Sequence, residues 1–322
     1  MVMEIEHHSF ARGDYATLLL GNRSGQLPTA PFWAEDRSRI EGIVSGDIVQ
    51  VSAALGQYHA KRQLHVHSIR LLPEGEVDQR LLLPSVEDVA PYWAAIDHWR
   101  EELVYPRLRT TLDLVFGKPG FRQRFEECPA SVRGGGHHAR LGGLLQHTAE
   151  VAEIALALAG VCRADPELVL AGALLHDIGK LEAYTWRHAF QVTDVGHLLG
   201  HVTLGMLMLH REVIDAAPPP CTDRELHLLL HLIGSHHGSL AFGAATPPMT
   251  LEAEVLHYAD NASAKTAAMS EAIADTENFP GGGLVTAGPL WQLDRRRAYR
   301  GKSDWGAFRS LATKTERPPS RG

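Results

Sequence analysis

Apolar and polar positions follow two different spacings in this chain, and the change between them divides it into two parts. The first part contains short β-prone stretches at residues 17–20, 42–51 and 64–70, separated by glycine, proline and polar turns, as in a small barrel. After Pro84 the apolar residues recur at the intervals of three and four that are typical of helices. The first helical stripe consists of Trp93, Ile96, Trp99 and Leu103. The spacing therefore predicts a multidomain protein, with a small all-β domain followed by an all-α helical bundle.

The most apolar of the predicted helices begins at Asp165, because an aspartate followed by a proline, here Pro166, is typical of a helix N-terminus. The segment continues without a polar face to His176 and Asp177 and is predicted to end at Gly179. A helix that is apolar on every side is buried. We therefore predict that this segment is the central helix of the bundle and that it ends on two unlike polar side chains.

Four further predicted helices carry similar polar side chains. His147 lies on the same helical face as Val151 and Ile154, which form a buried stripe. Another helix opens at Thr222 and Glu225, which have the spacing of a capping box. The other polar positions are His201 on a third segment, His236 and His237 after the capping-box helix, and Asp260 at the end of the helix predicted for residues 251–260. The five helices are predicted to converge on one polar cluster.

These polar side chains have the chemistry of a metal site. Histidine nitrogens and carboxylate oxygens together suit a borderline-to-hard divalent cation. A hydrogen-bonded core histidine is the ordinary alternative for any single one of them. It does not explain the whole set, because each unpaired polar group in an apolar helix costs about a few kcal/mol. The predicted ligands are His147, His176, Asp177, His201, His236, His237 and Asp260.

Several motifs resemble known families. The order of the seven predicted ligands, with Leu174–Lys180 around His176 and Asp177, resembles the HD superfamily of metal-dependent phosphohydrolases. More narrowly, the chain is similar to the YhaM-type 3′-to-5′ exoribonucleases, which join an OB-fold to an HD domain. The motifs that carry this likeness are Gly142–Thr148, Ser235–Gly238, His257–Asp260 and Leu290–Arg297. The likeness covers nearly the whole chain except its C-terminal tail.

The resemblance implies a 3′-to-5′ exoribonuclease that hydrolyses single-stranded RNA, or alternatively single-stranded DNA, to nucleoside 5′-monophosphates. The ligands outnumber what one open site needs, which indicates two divalent cations bridged by a carboxylate, with Asp177 as the predicted bridge. By resemblance, one cation is held by His147, His176 and Asp260, and the other by His201, His236 and His237. A water activated by the cations is expected to attack the terminal phosphodiester. Mixed nitrogen and oxygen ligation favours Mn²⁺, with iron as an alternative and Mg²⁺ less suited.

Lys180 is a second candidate catalytic residue beside Asp177. It follows the central helix directly. Its ammonium group is expected either to bind a substrate phosphate or to pair with a nearby carboxylate.

The resemblance also suggests domain boundaries and residues that contact nucleic acid. Phe32 and Trp33, on a strand, and Tyr58, beside a turn that leads to Lys61 and Arg62, are candidates to stack bases and follow phosphates. Packing in the barrel core is an equal alternative for the aromatic residues on the strand. The predicted domains are residues 1–72 (OB-fold), 73–140 (helical connector), 141–300 (HD domain) and 301–322 (flexible tail).

The segment 129–138 departs from the family pattern, because it is longer and richer in glycine. Arg140 replaces an expected aromatic residue, and Asn261 stands where a second acid is common. None of these departures removes a predicted metal ligand. His137 and His138 in this segment are weak candidates for nucleic-acid contacts.

Composition and charge change this interpretation little. A net charge of −7 is unlike that of a dedicated nucleic-acid binder, but bound cations supply positive charge locally in a nuclease. The three cysteines, Cys128, Cys162 and Cys221, are scattered and indicate neither a disulfide framework nor a cysteine metal site. Since Met1–His8 has no signal-peptide core and no apolar run has the length needed to cross a bilayer, we expect a soluble cytoplasmic enzyme without a membrane partner.

Two other functions are compatible with these motifs. An HD-type phosphohydrolase or phosphodiesterase acting on small nucleotides would use the same ligands but would not need a nucleic-acid-binding barrel. A non-catalytic nucleic-acid-binding protein would keep the HD domain only for structure, which the complete ligand set argues against. Either a monomer or a homo-oligomer fits the sequence.

Overall fold

The chain begins with β-structure and continues as a bundle of helices. The computed structural model describes residues 1–10, 13–58, 61–73, 76–77, 81–132, 138–186 and 190–301. Its strands are β1 (Val2–Phe10), β2 (Gly13–Asn22), β3 (Gly25–Pro28), β4 (Phe32–Trp33), β5 (Val49–Tyr58), β6 (Lys61–Leu71), β7 (Tyr184–Thr185) and β8 (Gln191–Val192). Its helices are α1 (Ala90–Glu102), α2 (Pro106–Phe116), α3 (Phe121–Glu127), α4 (Gly143–Cys162), α5 (Pro166–Leu175), α6 (Lys180–Ala183), α7 (Asp194–Asp215), α8 (Asp223–Ser235) and α9 (Leu251–Ala274). This order confirms the predicted fold class, a small N-terminal β domain followed by a helical bundle.

Strand β2 is the centre of the first sheet. β1 pairs with one of its edges in antiparallel register, and β3 and β4 pair with the other. Ala16, Leu18 and Leu20 are buried at alternate positions of β2, as the two-residue repeat of a strand requires. Phe32 on β4 packs into the same core.

Strands β5 and β6 form a long antiparallel hairpin beside this sheet, with Tyr58 opposite Lys61 at its tip. A parallel bridge between Thr29 and Leu64 joins the hairpin to the first sheet. Apolar residues of the hairpin pack against the core of β2. Among the described residues the strands form an OB-like arrangement that does not close into a complete barrel.

Two details of the β domain differ from the sequence prediction. The strand expected at residues 42–51 begins only at Val49, because Gly42 and Gly46 have positive φ and lie in turns. The sequence did not predict β1, because this strand contains more polar than apolar residues, among them the exposed Glu4 and Glu6. β1 is held by pairing with β2 rather than by a strong alternation of its own.

The predicted helix starts are confirmed by their capping contacts. The Asp165 side chain accepts hydrogen bonds from the backbone N–H groups of Glu167 and Leu168, and α5 is buried from Val169 onward, as a central helix should be. At the start of α8, Thr222 and Glu225 form the predicted capping box. The helix predicted for residues 251–260 is correct in position but continues to Ala274.

Helix α4 packs against α5, α9, α1 and α3 in the middle of the bundle. Among the described residues it is the one helix that by length and composition could cross a membrane. This corrects the expectation that no apolar run reaches that length. Half of its apolar window is buried inside the protein, and its first turns carry His147. Its apolar character is therefore that of a core helix.

The β domain contacts the helical part through its N-terminus. Met1 is buried with Leu83 and Leu141, and Met3 and Trp186 pack against this small cluster. The Met1 ammonium group donates a hydrogen bond to the backbone oxygen of Gly21. The N-terminal residues Met1 and Met3 thus connect the first sheet to the helical bundle.

Candidate metal centre

Five segments bring the seven predicted ligands together around Asp177. His147 lies in the second turn of α4, and Asp260 lies on α9, which packs against α4. His176 and Asp177 directly follow α5, and His236 and His237 directly follow α8. His201 lies on α7. The predicted convergence of the five segments is therefore seen in the structure.

Two glycines allow α7 to bring His201 close to Asp177. Gly200 has φ of 70° and ψ of 156°, which breaks α7 and starts its second part at His201. A β-carbon at Gly179 would lie 1.9 Å from the backbone oxygen of His201. Only glycine permits this close approach, and it sets the two segments side by side.

The first group of ligands surrounds one carboxylate oxygen of Asp177. Oδ2 of Asp177 lies 3.1 Å from Nε2 of His176 and 3.6 Å from Nε2 of His147. Oδ1 of Asp260 lies 3.0 Å from the same nitrogen of His147 and 3.9 Å from Nε2 of His176. These four side chains are buried or nearly so, and they form a compact set of nitrogen and oxygen atoms.

The second group faces the other oxygen of Asp177. Oδ1 of Asp177 lies 3.3 Å from Nε2 of His201 and 3.8 Å from Nε2 of His236. The ligand atoms of His201, His236 and His237 lie within 4.8 Å of one another. Asp177 thus has one oxygen directed at each group, which is the arrangement that the sequence predicted for a bridging carboxylate.

Hydrogen bonds fix which ring nitrogen of the histidines faces the centre. Three of them approach a backbone carbonyl through Nδ1: His176 with Ala173, His236 with Ile233, and His237 with Phe242, each at 2.7 Å. A carbonyl oxygen only accepts hydrogen bonds, so Nδ1 carries the proton. In the neutral rings Nε2 therefore directs its lone pair toward the centre, as a metal-binding histidine requires.

Within the described part of the chain, the centre contains buried polar atoms without hydrogen-bond partners. They are Oδ1 of Asp177 and Nε2 of His201 and of His236. Burial lowers the pKa of His201 to about 3 and holds the pKa of His236 well below its usual value. Both rings are therefore neutral near pH 7, and since Nδ1 of His236 donates to Ile233, the lone pair on Nε2 of His236 faces Oδ1 of Asp177. A cation between these atoms would satisfy such an arrangement, so the residues fit divalent metal ions.

The pKa values of the first group have opposing causes. Burial lowers the pKa of His147. Burial would also lower the pKa of His176, but the adjacent Asp177 carboxylate raises it above its ordinary value. Burial would raise the pKa of Asp177, but Lys180 and His176 hold it well below its usual range. Asp177 is therefore ionised throughout the physiological pH range.

Lys180 takes the second of its two predicted roles. Its Nζ lies 2.5 Å from Oδ2 of Asp177, and its side chain is buried. Burial would lower the pKa of Lys180, but Asp177 raises it above its usual value. Lys180 is thus a charged partner of the central carboxylate and does not extend toward solvent, where a substrate phosphate would arrive.

The candidates for nucleic-acid contact are divided between the core and the surface. Phe32 is buried, which corrects its assignment as a stacking residue, whereas Trp33 and Tyr58 are 36% and 64% exposed. His138 is also buried and hydrogen-bonded to Glu150, which leaves it no surface for RNA. Arg62 is exposed. The side chain of Lys61, the whole of His137 and the tail 302–322 lie outside the described residues.

Three residues near the centre are absent from the sequence prediction. Ser263 and Glu150 lie one helical turn beyond Asp260 and His147 on the same helix faces, and Ser263 contacts both His147 and Glu150. His257 directs Nδ1 to the backbone oxygen of His236 at 2.8 Å. The three-residue spacing from a predicted ligand is the signal that could have identified all three.

Comparison with known proteins agrees with this geometry. The HD domain model matches residues 144–265, a range that contains all seven predicted ligands. The chain is 32% identical to a 3′-5′ exoribonuclease YhaM of Bacillus licheniformis over 80% of this chain and 81% of that protein. The chain belongs to the YhaM family. Proteins of the same name from Bacillus velezensis and Bacillus subtilis are 31% and 30% identical, again over 80% of this chain and 81% of theirs. No solved structure matches the chain.

Proposed function

We propose that this chain is a metal-dependent 3′-to-5′ exoribonuclease that hydrolyses single-stranded RNA to nucleoside 5′-monophosphates. The observation that carries the proposal is the position of Asp177 between two groups of histidines whose Nε2 atoms face its two oxygens. Membership of the YhaM family supports the direction of degradation and the RNA substrate. Single-stranded DNA is a second candidate substrate of the same chemistry.

In this proposal the centre holds two divalent cations. His147, His176 and Asp260 would hold one, His201, His236 and His237 the other, and Asp177 would contribute one oxygen to each. When bound, the cations would lower the pKa of a water and offset negative charge on the phosphodiester. Mn²⁺ is proposed because imidazole and carboxylate ligands are mixed, with iron as an alternative.

The protein's own part in this reaction is to hold the ligands rigidly. Lys180 donates to Oδ2 of Asp177 and keeps the carboxylate ionised and oriented. Contacts through Nδ1 fix the rings of His147, His176, His236 and His237. Lys180 is paired with Asp177 and the histidines are proposed ligands, so we do not assign any of these described residues as a separate general base.

The exposed tip of the β5–β6 hairpin is proposed to hold the RNA upstream of the cleaved bond. Tyr58 and Arg62 lie at this tip, and Trp33 lies on the first sheet. An exposed aromatic ring next to a cation is typical of single-strand binding, in which bases stack and phosphates are neutralised.

Replacing Tyr58 with alanine is expected to raise KM for a long single-stranded RNA about tenfold, because stacking contributes about 1 to 3 kcal/mol per base. The KM for a dinucleotide should stay unchanged, because in this proposal the hairpin holds only RNA upstream of the cleaved bond. Leu55→Ala is the matched control, since Leu55 is equally exposed on the same strand but cannot stack. Equal KM values for wild type and Tyr58→Ala on long RNA would exclude this contact.

A substrate panel tests the proposed function. Purified protein with Mn²⁺ is incubated with single-stranded RNA, single-stranded DNA and a set of free nucleotides, and the products are separated by chromatography. Release of nucleoside 5′-monophosphates from RNA is expected. Hydrolysis of free nucleotides alone would instead favour the small-nucleotide phosphohydrolase, and no hydrolysis of any substrate would favour a non-catalytic binding protein.

We also propose a cytoplasmic location. All three cysteines are unpaired, and Cys162 is exposed, which suits a reducing compartment.

A further inference from the structure

A chain of hydrogen bonds leads from His147 away from the metal centre. Nδ1 of His147 lies 3.0 Å from Oγ of Ser263, and this hydroxyl donates to Oε2 of Glu150, also at 3.0 Å. His147 and Ser263 are buried. Glu150 lies at the edge of an open cleft of about 500 Å³ between α4 and α9. The metal centre is thus connected to a surface cleft by three side chains.

The partners of Glu150 set the direction of every proton in this chain. The guanidinium of Arg140 can only donate, so Nδ1 of His138, 3.0 Å away, accepts its hydrogen bond. His138 then carries its proton on Nε2 and donates to Glu150 at 2.9 Å. Gln146 donates to the other carboxylate oxygen. These donors offset the effect of burial, which would raise the pKa of Glu150, and lower it instead.

With Glu150 ionised, the remaining assignments follow. A carboxylate only accepts, so the hydroxyl proton of Ser263 points to Glu150. The lone pair of Ser263 then accepts the Nδ1 proton of His147. Nε2 of His147 is left as an acceptor that faces Asp260 and Asp177. The chain therefore fixes His147 in the tautomer that binds a cation.

His147 differs in this respect from His176, His236 and His237. His176, His236 and His237 donate their Nδ1 protons to neutral backbone carbonyls. His147 instead donates to Ser263, which in turn donates to the Glu150 carboxylate. A carboxylate at the end of such a hydrogen-bond chain polarises the hydrogen bonds and makes the imidazole of His147 a stronger metal ligand. The same contacts link α4 to α9 and hold His147 at 3.0 Å from Asp260.

We propose that Ser263 and Glu150 are positioning residues that orient His147 and strengthen cation binding at the position of His147, His176 and Asp260, while the position of His201, His236 and His237 does not depend on them. This inference rests on the proposed function, in which His147 is a metal ligand. Ser263 and Glu150 act through His147 and do not touch the substrate.

The test is a Mn²⁺ titration of the full-length, chelator-stripped protein, with free Mn²⁺ measured by electron paramagnetic resonance. The wild type should show two binding positions. Glu150→Gln and Ser263→Ala should each lower the affinity for Mn²⁺ at one position about 10- to 100-fold and leave the affinity at the other position unchanged. Both residues act in one chain of hydrogen bonds. The double variant should therefore bind Mn²⁺ no more weakly than the single variant with the larger effect. Glu153→Gln, which removes an exposed carboxylate from the same helix and cleft, should bind Mn²⁺ as the wild type does.

The possible results separate the inference from the proposed function. Absence of Mn²⁺ binding in the wild type would overturn the metal centre and this inference together. Two intact positions in both single variants would overturn this inference alone. Equal weakening of both positions would indicate general loss of structure and would also contradict the inference. Thermal unfolding of the metal-free proteins checks folding, and Ser263→Ala is the milder change, since it leaves the contacts of Glu150 with His138 and Gln146 in place.

Discussion

Asp177→Asn is expected to lower kcat for RNA hydrolysis on the order of a thousandfold or more and to remove bound transition metal. Asparagine has nearly the same shape but cannot give a charged oxygen to each group of histidines. Both cation positions would therefore lose their shared ligand, and several kcal/mol of charge stabilisation in the transition state would be lost with them. Elemental analysis and single-turnover kinetics on the purified variant measure both effects.

A loss of folding must be separated from a loss of metal in this experiment. Lys180 is buried beside Asp177, so neutralising only the carboxylate leaves an unpaired buried charge, which costs about 3 to 5 kcal/mol. The double variant Asp177→Asn with Lys180→Met removes both charges and should recover most of the stability. It should remain inactive. Activity in the double variant would show that Asp177 only balances Lys180 and is not a metal ligand.

Removal of divalent metal is expected to abolish activity almost completely, and Mn²⁺ should restore it better than Mg²⁺. The centre offers five imidazole rings and two carboxylates, whereas Mg²⁺ prefers oxygen ligands and gives up water reluctantly. The measurement is the initial rate of RNA hydrolysis after dialysis against a chelator, followed by titration with each metal. Fe²⁺ added under anaerobic conditions is the third metal to titrate, because iron, like Mn²⁺, accepts imidazole nitrogen ligands.

Two outcomes of this titration would contradict the proposed centre. Full activity in excess chelator would show that the enzyme does not depend on metal, provided that elemental analysis finds no metal left in the protein. Restoration by Mg²⁺ at concentrations as low as those of Mn²⁺ would contradict the ligand set, because imidazoles would then contribute little to binding. His236→Ala is the matched variant, and it should need more Mn²⁺ for half-maximal activity.

The sequence predicted the helical part well because its signals are local. Asp165 and Thr222 bind the first backbone N–H groups of their own helices, and such caps depend on residues within one turn. The polar side chains at the ends of apolar segments also stood out, since a buried polar group needs a partner. The convergence of His147, His176 and Asp260 followed from these two patterns and from the family resemblance.

The β domain was harder to predict, because strand pairing is not local. β1 contains more polar than apolar residues, and it is fixed by hydrogen bonds to β2. Phe32 and Trp33 are neighbours in the sequence but lie on opposite faces of β4, one in the core and one at the surface. Which face is buried depends on the register with β2, and the short strand itself does not reveal that register.

The surroundings of the metal ligands could be predicted only in part. Glu150 and Ser263 each lie three residues beyond a predicted ligand, but their contact joins α4 and α9, which are far apart in the sequence. The pairing of Lys180 with Asp177 was one of two alternatives, and the burial that decides between them requires the packed bundle. Local spacing thus identified residues that converge at the centre, while tertiary packing determined their partners.

The direction in which this protein degrades RNA is the most decisive property to measure. A single-stranded RNA labelled at its 5′ end is incubated with the full-length protein and Mn²⁺, and samples are resolved on a sequencing gel over time. We expect a ladder of labelled fragments that shorten progressively from the 3′ end, with unlabelled nucleoside 5′-monophosphates released and no products in the Asp177→Asn variant. Labelled mononucleotide at the earliest times, or internal cuts before the ladder forms, would contradict this expectation.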